Sequence, residues 1–145
     1  MRSTGTPTGD WILSDALVLA TIRVTGVPES PAGLLDLVAA ADAMHHLILS
    51  AEMIEHAISR LVAAGLATVD DVGFAATPAG RRLVAQARGR PGGDPADRVH
   101  SLFVLLQSVP VTPIPWFLDR PTFDAVVLDY RHRLWETFRT GRRRS

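Results

Sequence analysis

Between Ser50 and Val84 the sequence reads SAEMIEHAISRLVAAGLATVDDVGFAATPAGRRLV, and its hydrophobic period passes from helical to alternating and back again. Ser50 is a good N-cap, and Glu52 in the turn after it suits the positive end of a helix. Ile54, Ile58, Leu61 and Val62 make one apolar stripe, and Gly65 stands just past it, where a left-handed cap costs glycine little. Leu66–Val69 then predicts a strand, Asp70–Gly73 a turn and Phe74–Ala76 the return strand. Thr77 and Pro78 open the next helix as N-cap and first helical residue. A helix, a short hairpin and a helix in such quick succession confine the chain to small α-rich folds that carry a two-stranded antiparallel wing.

The flanking segments supply more helices. Ser14 is the expected N-cap of a helix running through DALVLATIRV, whose Leu17, Val18, Ala20 and Ile22 cover much of its circumference, as in a buried central helix. Ser30 and Pro31 predict the start of a second helix with Leu34, Leu37, Val38, Ala41, Met44 and Ile48 on one face. Gly89–Pro95 reads as a linker, followed by an apolar helix near Ala96–Ser108 and a proline-rich crossing, VPVTPIPWF. A last amphipathic helix, Thr122–Phe138, presents Val126, Val127, Tyr130, Leu134 and Phe138 as its buried stripe. The expected organisation is a flexible start to residue 13, a helix-and-wing unit over 14–88, a linker over 89–95, a C-terminal helical segment over 96–138 for packing and dimerisation, and a mobile basic tail over 139–145.

Three helices, a wing and a following helix give the order of a winged helix-turn-helix. The run RLVAAGLA, which closes the third helix and enters the wing, and Thr77-Pro78-Ala79-Gly80, which leaves it, resemble bacterial winged-helix regulators of the MarR and PadR kind. The resemblance covers about Ser14–Ala87. It implies a transcriptional regulator that binds double-stranded DNA, with the helices outside the winged unit forming a homodimer. Winged helices also serve as protein-interaction modules that never touch DNA, and a fold does not choose between these roles.

Composition narrows the field. A chain of 145 residues suits one domain with a real core. With no cysteine, disulfides, thiolate metal sites and a cysteine nucleophile are excluded. Met1–Gly9 has no apolar run of the signal-peptide kind, and Pro110, Pro113 and Pro115 interrupt the uncharged stretch Val99–Leu118, so a cytoplasmic protein with no membrane partner is expected.

Net charge is zero but unevenly spread. Asp10–Gly80 holds nine acids against Arg23 and Arg60, whereas Arg81–Ser145 holds twelve arginines against six acids. Lysine is absent, a usage that fits a GC-rich genome. A DNA-reading third helix would turn its N-terminal residues to the bases. Here that front carries Glu52 and Glu55, and the wing tip carries Asp70 and Asp71, none of which favours phosphates. The residues left for DNA contact are Arg60, Arg81 and Arg82 for phosphates and Ser59 and His56 for base edges. Arg88, Arg90 and Arg142–Arg144 extend the basic set, although such runs are more often solvated surface. The acidic unit beside a basic C-terminal half equally suits docking to a protein partner or to a second copy.

Other chemistry is thinly supported. His45, His46 and His56 with Glu52 and Glu55 are metal-ligand types, but adjacent helical residues diverge by about 100°, and HExxH is absent, so no metal or other cofactor is expected. The plainer reading pairs Asp42 with His46 and lets His45 cap the second helix. Asp129, Tyr130, His132 and Glu136 fit a polar helix face better than an acid–base site, and no nucleophile elbow, P-loop or dinucleotide fingerprint is present; an enzyme is not expected. Trp116, Phe117, Phe103 and Trp135 are the candidates for a small-molecule pocket in a sensor or carrier, with ordinary core packing as the commoner use of such residues.

Overall fold

A computed structural model describes residues 10–89 and 93–144, with side chains as far as 139. The terminus before Asp10, and Arg90, Pro91 and Gly92 of the expected linker, lie outside the described residues. The elements are α1 (Leu13–Thr25), α2 (Leu34–His45), α3 (Ala51–Ala63), β1 (Ala67–Val69), β2 (Phe74–Ala76), α4 (Pro78–Gln86), α5 (Pro95–Leu106) and α6 (Arg120–Arg144). The described residues are thus mainly helical, with one two-stranded antiparallel sheet. No helix among them is long and apolar enough to cross a membrane.

Helix α1 is the centre of the core because it is apolar nearly all round. Ala16, Val18, Leu19, Ala20 and Ile22 are buried, and α2, α3, α4, α5 and β2 all pack against it. Its start differs from expectation. Ile12 is the N-cap, and the Asp15 carboxylate, not Ser14, receives the Ile12 N–H at 2.9 Å. Helix α2 also starts later than Ser30-Pro31 predicts: Gly33 is its N-cap and Asp36 takes the Gly33 N–H at 3.0 Å. The intervening Ala32 is claimed by the hairpin, exchanging two 2.8 Å backbone hydrogen bonds with Phe74, so residues 30–32 stay extended. At its other end α2 stops at His45, and His46 adopts the left-handed C-cap conformation (φ 54°).

The hairpin forms in the expected segments, one residue shorter at the start of its first strand, with Ala67 opposite Ala76 and Val69 opposite Phe74. Asp70 closes its turn by accepting the N–H groups of Val72 and Gly73 at 2.8 and 2.9 Å. An acid at the wing tip therefore has a local structural task. The caps of α3 and α4 are those predicted: Ser50 Oγ accepts from Met53 N and Thr77 Oγ1 from Gly80 N. Gly65 has the positive φ of 76° that a helix C-terminus requires.

The last helix runs further than expected. Arg139 is ion-paired to Glu136 at 2.9 Å, and arginines suit the negative end of a helix, so the turns continue through the segment expected to be a tail. Phe123 is buried, and Val126, Val127 and Tyr130 pack on the core, but Leu134 and Phe138 are 51% and 56% exposed rather than buried. Leu134 still lies beside α2, where it borders an open cleft with Leu35, Asp36 and Ala39, and at twenty-five residues against twelve α6 is about twice as long as α2.

Gly80 allows the first turn of α4 to sit on the end of the α3–β1 connection. A Cβ there would lie 2.0 Å from the Leu66 carbonyl oxygen, which already accepts the Thr77 N–H. Gly80→Ala is expected to destabilise the fold by about 1–3 kcal/mol, read as a lower urea midpoint, and an unchanged midpoint would show that this backbone approach is not tight.

Candidate functional site

Helix α3 turns Glu52, Glu55, His56 and Ser59 away from its buried stripe of Ile54, Ala57, Ile58 and Leu61. That outward face is covered in part. After α5 the chain crosses back over it as an extended strap, Val109–Asp119. Pro110, Pro113 and Pro115 hold the strap extended and remove three backbone donors that would otherwise need partners. Ile114 N–H donates to the Ser59 carbonyl at 3.1 Å, and Leu118 N–H donates to Glu55 Oε2 at 2.7 Å. Arg120 reaches the other Glu55 oxygen at 3.0 Å and lies 3.5 Å from Glu52. Two further contacts tie down the strap. Trp11 Nε1 donates to the Val109 carbonyl at 2.9 Å, and the Trp116 ring stands edge-on to Phe74 of β2 at 6.0 Å between centroids. A shallow groove of about 440 Å³ remains between α3 and residues 113–117.

The carboxylate of Glu55 is matched to this task. The Leu118 N–H first, and then the Arg120 guanidinium, hold its pKa below the ordinary glutamate value.

Beneath the strap, α3 is joined to α1 by a sequestered polar contact. Asp15 is fully buried, and its Oδ1 is hydrogen-bonded to His56 Nδ1 at 2.7 Å while Oδ2 holds the Ile12 N–H. Burial raises the Asp15 pKa, opposed by the Ile12 N–H and by His56.

The residues proposed for DNA contact are separated. His56 is engaged with Asp15, and the Ser59 hydroxyl donates to the His56 carbonyl at 3.0 Å. Arg60 is half-buried, its Nη1 directed at the His56 carbonyl and Ser59 Oγ at 3.3 and 3.4 Å. Arg81 and Arg82 stand on α4, exposed, with no carboxylate in ion-pair range among the described residues. Arg90 lies outside the described residues, as do the side chains of Arg142–Arg144.

The four aromatic candidates do not share a pocket. Trp116 and Phe117 flank the groove on α3, with Phe117 82% exposed, while Phe103 lies near His100 and Trp135 is exposed on α6. The histidines are likewise dispersed: His45 is half-buried, His46 caps α2 and His56 meets Asp15. Among the described residues no group of three or more His, Asp or Glu side chains is placed to hold a metal ion. Asp42 does not pair with His46 as expected; its carboxylate accepts the Tyr130 hydroxyl, which pushes the tyrosine pKa up to about 12. On the polar face of α6, Asp129 is paired with Arg133 at 3.2 Å and Glu136 with Arg139, while His132 is exposed.

Two residues central to this geometry carry little signal in the chain order. Asp15 is an acid inside an apolar helix, which is the one hint that it has a buried partner. Glu55 reads only as a charge at the wrong place for DNA, because its partners lie 63 and 65 residues away. No protein-family model, curated protein or solved structure matches the chain.

Asp15 gives a pH test. A carboxyl whose folded pKa is raised stabilises the fold below its unfolded value of 3.8, and that stabilisation is lost as pH rises through the folded pKa. Asp15→Asn removes this term, so in urea titrations the variant should gain stability relative to the parent as pH rises above 3.8. A constant or shrinking gap would contradict the assigned burial effect.

Proposed function

We propose that this chain is a winged-helix interaction module that works through protein contact, pairing with a second copy of itself, and that it does not read DNA with α3. The element order supports the winged-helix part, as does the Ala32–Phe74 pairing that places a third short extended segment beside the hairpin. The observation that carries the functional part is the strap. Ser59 and Glu55, on the face that a recognition helix offers to the major groove, are held by Ile114, Leu118 and Arg120 of the same chain.

The surface for a second copy is α6. On it Leu128 and Trp135, seven residues apart on one face, are 69% and 59% exposed. Charge rises along the helix: Arg120, Asp124, Asp129 and Arg131 balance in its first half, and Arg133, Glu136, Arg139 and Arg142–Arg144 leave the second half basic. Antiparallel pairing of two α6 helices sets the arginine-rich end of each against the balanced half of the other, whereas parallel pairing brings the two basic ends together.

A regulator reading keeps one specific support, the exposed Arg81 and Arg82 of α4, which suit phosphate contact away from α3. Sedimentation of the whole chain beside Leu128→Asp/Trp135→Asp, with salt-titrated binding to mixed double-stranded DNA, separates the readings. The expected result is a dimer that the double variant converts to monomer, and no DNA affinity that depends on Ser59. A monomeric parent chain, or sequence-specific DNA binding lost in Ser59→Ala, would overturn the proposal.

A further inference from the structure

On the side of the molecule formed by the end of α2 and the start of α5 lie two adjoining clefts of about 430 and 420 Å³, each the size of a small-molecule site. Met44, His45, Asp94, Pro95 and Val99 line both, so the clefts meet at a wall made of these residues. The first is mostly apolar, with Leu13, Leu17, Leu47 and Met53 among its lining residues. The second opens between Arg23 of α1 and Arg98 of α5.

We infer that these joined clefts bind a single-chain acyl carboxylate, the chain in the first and the carboxylate between Arg23 and Arg98 in the second.

Three observations point to this class. No Phe, Tyr or Trp lines either cleft, and the two methionines offer unbranched, adaptable walls that suit a flexible aliphatic chain better than a flat ring. Arg23 and Arg98 are exposed and have no carboxylate in ion-pair range among the described residues, which leaves both guanidinium groups to an anion. Asp94, the acid that lines both clefts, caps α5 with its Oδ1, which receives the Asp97 N–H at 3.3 Å. Third, His45 Nε2 is buried with no hydrogen-bond partner. Burial first, and then His46, lower the His45 pKa, so the ring is held neutral and its unmet nitrogen is a polar group in want of a partner. A chain passing from one cleft to the other parts the Met44–His45 wall and brings a carboxylate oxygen or its bound water to that nitrogen.

The test is calorimetric titration of the whole protein with octanoate and, in parallel, with octanol, which has the same chain length and no charge. Octanoate is expected to bind saturably and at least ten times more tightly than octanol. Arg23→Gln/Arg98→Gln changes only exposed side chains and should reduce octanoate to the affinity of octanol, while Leu17→Trp, filling the apolar cleft, should abolish both. The His45 ring resonances should shift with octanoate at the same saturation point. Equal affinity for the two ligands, no saturable binding, or octanoate affinity unchanged in the double-arginine variant would each overturn the proposal. So would octanoate binding that survives Leu17→Trp in a protein of unaltered circular dichroism.

Discussion

Glu55 holds both a backbone N–H and a guanidinium of the segment that follows α5, and that hold fixes the end of the strap and the start of α6 on α3. A carboxylate has enough acceptor sites for both donors at once. The three prolines make the arrangement economical, since a strap with few free N–H groups can lie across a helix without leaving donors stranded. From Glu55 the chain enters α6 at Arg120, and α6 then packs on α2 through Phe123, Val126, Val127 and Tyr130. The Tyr130 hydroxyl on Asp42 fixes that helix at the far side of the core.

The same face of α3 is fastened from beneath by Asp15 and His56. Burying a carboxylate is costly unless it is fully hydrogen-bonded. Two hydrogen bonds, to the first turn of its own helix and to a ring on α3, offset part of that cost for Asp15. The contact therefore sets the rotation of α3 against α1, so that Glu55 and Ser59 meet the strap on the outward side. Residues that could have been aimed at a ligand are thereby committed to the fold itself.

Much of the architecture was legible because it is written in local chemistry. Ser50, Gly65, Thr77 and Pro78 each have one conformational use at their positions, and the helix ends and hairpin appear where those residues require. Ser30-Pro31 misled because an equally good local signal lost to a tertiary one, the pairing of Ala32 with Phe74. The site was far less legible. The acidity of Glu52 and Glu55 showed that α3 is poorly suited to phosphates, but not that residues 63 and 65 positions onward would supply their counterparts. Hydrophobic period reports which face is buried, never by what, and so the exposed Leu134 and Phe138 read as core.

The central claim is that α3's outward face is closed in part by residues 109–119. Amide hydrogen exchange followed by NMR tests it at single residues, because Ile114 and Leu118 lie in extended chain with no helix or sheet to protect them. With the strap in place, both amides exchange far more slowly than those of Thr112 and Phe117 beside them, and Glu55→Ala removes the protection at Leu118 first. Exchange of Ile114 and Leu118 at the rate of an unstructured peptide in the parent protein would mean that the face is open and the strap contact does not hold.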